Sequence, residues 1–193
     1  TGSGKKKILK VLEQKGYDVL DLEQCANHRG SLLGNIGLGE KYSQKFFESQ
    51  VLKKFLAFRS DRIIVEGESK RIGNIVMPGY LYDKILNSRK MLIETQLQKR
   101  VEIIKEEYLK ESYRKEEIIS CLGKLQRYIG EKQVTEYIEN IKRDEFDTVI
   151  KNLIEKYYDK VYMTKNRVFE KVFYNENEEQ CAEQIIEYIF GKK

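Results

Sequence analysis

Apolar residues recur along this chain in two alternating rhythms, one near the helical period and one of short continuous runs, and the alternation predicts helices interleaved with buried strands. After the glycines at 2 and 4, the apolar residues Ile8, Leu9, Val11 and Leu12 fall on one helical face, and the run halts at Gly16, where a C-terminal glycine cap belongs. Tyr17 to Leu22 (YDVLDL) suits a short buried strand that ends among the acids Asp21 and Glu23. The next stretch, ANHRGSLLGNIGLGE, is polar and dotted with glycine, so an irregular loop is expected there. Ser43 is placed to N-cap a helix carrying Phe46, Phe47, Val51, Leu52 and Phe55 on one side. Arg62 to Gly67 (RIIVEG) reads as a second strand, Pro78 as the start of a helix running to about Leu86, and Lys90 to Thr95 (KMLIET) as a third strand.

From Gln96 to about Tyr158 the strand signals vanish and helical periodicity takes over. Lys171 to Tyr174 (KVFY) then looks like a last strand, and Cys181, Ala182, Ile185, Ile186 and Ile189 form the stripe of a closing helix. Strands that alternate with helices call for right-handed crossovers and a largely parallel sheet. The expected organisation is an α/β core over 1–95, a helical insert or subdomain over 96–158, and the last strand and closing helix of the core over 159–193.

Composition narrows this modestly. The formal charge of +5 arises from many Lys and Arg interspersed with nearly as many acids, which suits a polyanionic partner without resembling a nucleic-acid-coating tail. Cys25, Cys121 and Cys181 are odd in number, widely spaced and lack a CxxC pair, so no zinc pattern is present and a reducing compartment is expected. No apolar run approaches the roughly 20 residues of a bilayer span and no signal peptide opens the chain, so a soluble, cytoplasmic protein with no membrane partner is expected.

The strongest local signal is Thr1-Gly2-Ser3-Gly4-Lys5, which matches the later part of the G-x-x-x-x-G-K-[ST] phosphate loop. Glycines let backbone N–H groups wrap a phosphate, the following helix presents its positive end, and Lys5 supplies a cation. The expected fold is therefore a P-loop NTPase-like parallel sheet flanked by helices and carrying a helical insert. No strand precedes the loop, which reads as a fragment whose first strand is truncated. Lys6 departs from the motif, because an ammonium stands where a hydroxyl would reach Mg²⁺. No metal ligand is assigned, and both ATP and Mg²⁺ are left open. The bland alternative is a glycine turn that merely caps a lysine-rich helix.

Two further groups leave the ends of predicted strands, where ligands of parallel sheets gather. In Asn27-His28-Arg29-Gly30-Ser31, Arg29 is a candidate phosphate ligand beside Gly2, Ser3, Gly4, Lys5 and Lys6, and His28 a candidate acid or base, although a lone loop histidine is more often simply hydrogen-bonded. In Glu66-Gly67-Glu68-Ser69-Lys70-Arg71, Glu66 stands where phosphate-loop proteins keep an acid, with a salt bridge to Lys5 as the plain alternative. Asn27, His28, Gly30, Ser31, Glu68, Ser69, Lys70 and Arg71 are candidates for contacting substrate or tRNA, and Glu66 and His28 the candidates for catalysis. Cys25, inside the polar loop, has no local feature other than nearby His28 and Arg29 that would lower its pKa, and reads as incidental. Arg100, Lys105, Arg114, Lys124, Arg127, Lys142 and Arg143, with Tyr108, Tyr113, Tyr128 and Tyr137 among them, could form an RNA surface or a salt-bridge-laced helical face.

Taken together, TGSGK at 1–5, DLEQCANHRGS at 21–31, SQKFFE at 43–48, VEGESKRIG at 65–73 with Pro78, and YYDKVY at 157–162 resemble the C-terminal domain of the tRNA 2-selenouridine synthases. The resemblance implies a transferase that replaces sulfur by selenium on wobble 2-thiouridine in tRNA. It also implies selenophosphate and geranyl diphosphate as substrates, a geranylated intermediate, and a reactive cysteine on an N-terminal rhodanese-like domain that this chain lacks, so that the chain alone is expected to be inactive. Lys6, and Lys160 where the family usually has Pro, depart from its pattern. The rival readings are a small-molecule kinase or ATPase on the same fold, and a non-catalytic tRNA-binding module.

Overall fold

The computed structural model describes residues 1–31, 33–109, 115–163 and 168–191. Tyr113 and Arg114 lie outside the described residues. The chain opens with helix α1 (Lys5–Gln14), which buries Ile8, Leu9 and Leu12 and ends before Gly16 at φ 85°, the left-handed cap its sequence predicts. Strand β1 (Val19–Leu20) and helix α2 (Leu22–Ala26) follow. Helix α3 (Gln44–Ala57) starts at Ser43, whose hydroxyl accepts from the Phe46 N–H. Strand β2 (Ile64–Val65), the hairpin strands β3 (Arg71–Ile72) and β4 (Ile75–Val76), helix α4 (Gly79–Leu86) and strand β5 (Met91–Glu94) complete the first half.

Helices α5 (Leu97–Tyr108), α6 (Lys115–Gly123), α7 (Gln126–Ile129), α8 (Glu131–Lys142) and α9 (Phe146–Leu153) come next, and a π turn (Ile154–Tyr158) leads into α10 (Asp159–Met163). Strand β6 (Lys171–Tyr174) and helix α11 (Glu178–Phe190) close the chain. Among the described residues no helix is long and apolar enough to cross a membrane.

The architecture is α/β, with short parallel sheets flanked by helices. Strand β1 pairs parallel with β2 (Val19 with Ile64, Leu20 with Val65), and β5 pairs parallel with β6 from Met91–Lys171 to Glu94–Tyr174. The predicted continuous sheet is instead these two parallel pairs and the antiparallel β3–β4 hairpin, because among the described residues no strand bridges β2 and β5. Two elements were absent from the sequence reading. Helix α2 takes Leu22 from the predicted strand and ends at Ala26, where the predicted loop begins: Leu22, Cys25 and Ala26 recur at three and four residues and are buried, and Asp21 caps them by accepting from the Gln24 N–H. The hairpin turns at Gly73-Asn74, with Gly73 at φ 59° taking the positive first position that such a two-residue turn needs.

Three cores result. One joins α1, β1, β6 and α11, a second packs α2, α3, the hairpin and α4 against β1, and the third fills the helices after α5. Asp18 ties the first two: its carboxylate accepts from the backbone N–H groups of Arg59 and Ser60 at 2.9 and 2.7 Å, while its own carbonyl accepts from Ile64 at 2.9 Å. Asp18→Ala removes both bonds from N–H groups at an exposed turn that water can then meet, and urea unfolding should show a loss of about 0.5–1.5 kcal/mol.

Candidate functional site

The loop before α1 is built from residues that favour unusual backbone. Gly2 and Gly4 take φ of 72° and 78°, and Gly4 N-caps the helix without offering a side chain. The first turn then carries Lys5, Lys6 and Lys7 and no acid. Cations beside the positive end of a helix are unfavourable, and the first N–H groups of a helix lack intrahelical acceptors, so an anion placed there relieves both.

The loop is held at the carboxyl ends of strands. The Ser3 carbonyl accepts from Thr95 Oγ1, one residue past β5, and from Asn175 Nδ2, one residue past β6, both at 2.9 Å. Asn175 is only 2% exposed, and its Oδ1 accepts from Lys99 Nζ at 3.4 Å. Thr95, Lys99 and Asn175 were not singled out from the sequence. Their signal was positional: Thr95 and Asn175 are polar residues that immediately follow strand-like runs.

Helix α5 crosses the loop with one stripe of its surface. Arg100 Nε donates to the Thr1 carbonyl at 3.0 Å, and Arg100 also forks onto Asp159 at 2.9 and 2.6 Å. Ile104, one turn on, is so close to Gly2 that a Cβ there would lie 2.9 Å from Ile104 Cδ1. The π turn at Ile154–Tyr158 immediately precedes Asp159, so an irregularity in the helix presents that carboxylate to Arg100.

Facing the loop is a group of acids. Glu66, directly after β2, is 4% exposed, and its Oε1 lies 3.9 Å from Lys5 Nζ. One carboxylate oxygen each of Glu23, Glu66 and Glu68 lies within 4.8 Å of the others. Burial pushes the pKa of both Glu23 and Glu66 upward; Glu66 and Glu68 push Glu23 further, while Lys5 pulls Glu66 back and Glu68 raises it again. Gly30, at φ 60°, closes over this group, and a Cβ there would lie 2.6 Å from Glu23 Oε1 and 2.9 Å from Glu68 Oε2. Glu23, at the start of α2, had been noted only as an acid near a strand end.

The remaining candidates divide. Arg29 is engaged by the protein itself: Nη1 donates to the Ile36 carbonyl at 2.5 Å, Nη2 to the Glu107 carbonyl at 3.0 Å, and the guanidinium lies over the Tyr108 ring at 4.5 Å. Ser31 Oγ lies 3.3 Å from the Tyr108 hydroxyl. Asn27, in the left-handed position ending α2, donates to the Leu38 and Glu40 carbonyls and folds the glycine-rich loop back. His28 is buried against Gly34 and Gly73, its Nδ1 has no hydrogen-bond partner, and burial lowers its pKa. Lys6, Lys70 and Arg71 are exposed, and the Ser69 N–H bonds Glu68. Cys25 is buried with its pKa pushed up to about 11 by burial, which makes it a poor nucleophile.

In the helical segment Lys105 pairs with Asp147 and Lys142 with Glu139, while Tyr137 is buried in the third core. Lys124 Nζ lies 3.8 Å from Cys121 Sγ, and Arg127 lies over Tyr128, which is exposed.

Comparison with known proteins converges on one family. A family described as the tRNA 2-selenouridine synthase AAA domain matches residues 1–189. The tRNA 2-selenouridine synthase of Hydrogenovibrio crunogenus is 29% identical over 184 residues, covering 84% of this chain and 50% of that protein. That of Alcanivorax borkumensis is 36% identical over 125 residues, covering 63% of this chain and 32% of that protein. An uncharacterized protein of Methanocaldococcus jannaschii is 30% identical over 215 residues, covering 100% of this chain and 89% of that protein. The chain thus spans half the Hydrogenovibrio enzyme and a smaller part of the Alcanivorax one. No solved structure matches it.

Proposed function

The chain belongs to the tRNA 2-selenouridine synthase AAA domain family, and from that premise we propose that its Gly2–Lys5 loop binds the diphosphate of geranyl diphosphate, or selenophosphate, during conversion of wobble 2-thiouridine to 2-selenouridine. The observation that carries this reading is the loop itself: two left-handed glycines lead into a helix whose first turn holds three lysines and no acid, at the carboxyl ends of β5 and β6.

When the 2-thio sulfur attacks C1 of the geranyl group, the carbon–oxygen bond breaks and diphosphate departs with the electron pair. The N–H groups and the Lys5 ammonium that bind the diphosphate also stabilise it as it leaves. Lys70 and Arg71, exposed at the hairpin, meet tRNA phosphates. Arg29 acts by position: it fixes the 27–36 loop against the C-terminal end of α5 and so keeps Gly30 over the acids. A rhodanese-like domain supplies the reactive cysteine.

Titration calorimetry with geranyl diphosphate tests this. Lys5→Ala should weaken binding by about 10- to 100-fold, the worth of a charge-assisted contact. Binding unchanged in that variant would remove the assignment. A second reading, a small-molecule kinase or ATPase, is favoured by the three carboxylates beside Lys5, where a phosphate-bound divalent cation would find acceptors, and it is opposed by Lys6. Tight Mg·ATP binding with turnover, and none of geranyl diphosphate, would establish it instead.

A further inference from the structure

Helix α5 touches both the phosphate loop and the helical segment. Gly2 packs on it so closely that a Cβ there would lie 2.9 Å from Ile104 Cδ1 and 3.0 Å from the Arg100 carbonyl oxygen. The Arg100 guanidinium divides its donors between the two sides: Nε donates to the Thr1 carbonyl at 3.0 Å, while Nη1 and Nη2 donate to the two carboxylate oxygens of Asp159 at 2.9 and 2.6 Å. An arginine can make both connections at once because its donors are fixed in one plane. A lysine offers a single nitrogen on a flexible stem.

Asp159 is held in turn from the far side. It follows the π turn Ile154–Tyr158, whose first and last residues are buried, and the Tyr157 ring packs on that of Tyr158 at 4.9 Å. The ion pair is largely withdrawn from water, with 15% of the Arg100 and 30% of the Asp159 side chain exposed. Attraction in such a pair does little more than offset lost hydration, so stability alone does not account for it. What it does fix is a peptide plane. The Thr1 carbonyl and the Gly2 N–H belong to one rigid trans peptide, so a bond that holds the carbonyl also sets where the N–H points. The Ser3 carbonyl, held by Thr95 and Asn175, sets the Gly4 N–H in the same way.

We infer that Arg100 and Asp159 are positioning residues for the phosphate loop: Asp159, presented by the π turn, holds the guanidinium that orients the Gly2 N–H for the bound anion. This role presupposes the proposed diphosphate reading and adds to it a link from the helical segment. It also gives a task to the YYD stretch at 157–159, whose aspartate is Asp159.

Titration calorimetry with inorganic diphosphate tests the link in Arg100→Lys and Asp159→Asn beside the unaltered chain. Arg100→Lys keeps the charge and breaks the forked connection, so a loss reports geometry; affinity should fall by about 3- to 10-fold, the worth of one misdirected donor. Asp159→Asn is nearly isosteric and removes a negative charge near an anion site. Electrostatics alone would then tighten binding, whereas a misdirected donor weakens it, and weakening is expected. The two changes combined should cost no more than the larger single effect, because they act through one contact. Asp147→Asn is the control: Asp147 pairs with Lys105 of the same helix at 2.6 Å, and affinity should stay unchanged. In the ligand-free protein the Gly2 amide resonance should move in Arg100→Lys and Asp159→Asn and stay in place in Asp147→Asn.

Unchanged affinity in the two folded variants, with Lys5→Ala still weakening binding, would overturn the positioning role and leave the phosphate loop intact. Tighter binding in Asp159→Asn, or an equal loss in Asp147→Asn, would overturn it as well, the first in favour of simple charge and the second in favour of general docking of the helical segment. No diphosphate binding by the unaltered chain would remove both readings. A Gly2 amide resonance unmoved in both variants would overturn the positioning role without any ligand.

Discussion

Replacing Gly4 by alanine is expected to abolish diphosphate binding and to cost the fold about 2–5 kcal/mol. Two independent effects add. Gly4 sits at φ 78°, where an L-residue with a Cβ pays about 1–2 kcal/mol. The new methyl would also overlap the Asn175 side-chain nitrogen. To escape it, Asn175 must give up its bond to the Ser3 carbonyl, and an almost fully buried amide left without that partner costs about 1–3 kcal/mol more. Against a typical total stability of about 5–15 kcal/mol the loss is severe without being fatal. Urea unfolding measures it, and titration with diphosphate reads the site. Asn175→Gly placed in the same chain separates the two effects: it removes the overlap and leaves the φ strain, so part of the stability should return. If Gly4→Ala alone binds diphosphate normally, the loop N–H groups are not the phosphate cradle.

Much of this arrangement was legible in the sequence, for reasons that differ by residue. The helix after the loop, its stop at Gly16 and the Ser43 cap could be read because spacing and capping chemistry are local properties. The four parallel strands were visible as apolar runs over 17–22, 62–67, 90–95 and 171–174, of which the first three pair over shorter spans, and the parallel pairing followed from the helices between them. Helix α2 was hidden because a single turn offers only three apolar positions, wedged between a strand-like run and a glycine-dotted loop. The hairpin was hidden because Lys70 and Arg71 looked like ligands rather than the lead-in to a strand.

The site itself was half legible. Gly2, Gly4, Lys5 and Glu66 carry their chemistry in a local pattern, and the structure brings Lys5 and Glu66 together. Thr95 and Asn175 meet the loop across 92 and 172 residues of chain, and Lys99 reaches Asn175 across 76, proximities that no local pattern encodes. Arg29 shows the converse: a residue type suited to phosphate is spent on carbonyls and a tyrosine ring because a buried loop must satisfy its backbone.

The protein should become less stable as pH rises through neutrality, by up to about 1.4 kcal/mol for each pH unit over the window in which one of its buried carboxyls titrates. Glu23 and Glu66 have folded pKa values above the ordinary 4.5, because burial penalises their charge and the neighbouring carboxylates add to the penalty. A group that holds its proton more tightly when folded makes folding take up protons. Its stabilising effect is complete below about pH 4.5 and is lost as pH climbs through the raised value. His28 works in the opposite sense: burial lowers its pKa from 6.5, so it weakens the fold as pH falls below that value. The carboxyl effect is therefore cleanest above pH 6.5, where His28 is neutral in both states. A pH series of urea unfolding should show the decline, and Glu23→Gln should flatten it by removing one charge from the trio. A flat or rising profile in the wild-type protein would mean that solvent or Lys5 already neutralises the cluster. The same linkage reaches the ligand. A diphosphate at the loop competes with Glu66 for the Lys5 ammonium and raises the carboxyl pKa further, so binding takes up a proton and tightens as pH falls. A divalent cation shared between the phosphates and the carboxylates would reverse that slope, because it must displace the protons. The sign of the pH dependence of diphosphate affinity, with and without magnesium, therefore tells whether Lys5 alone or Lys5 with a metal ion neutralises the bound anion.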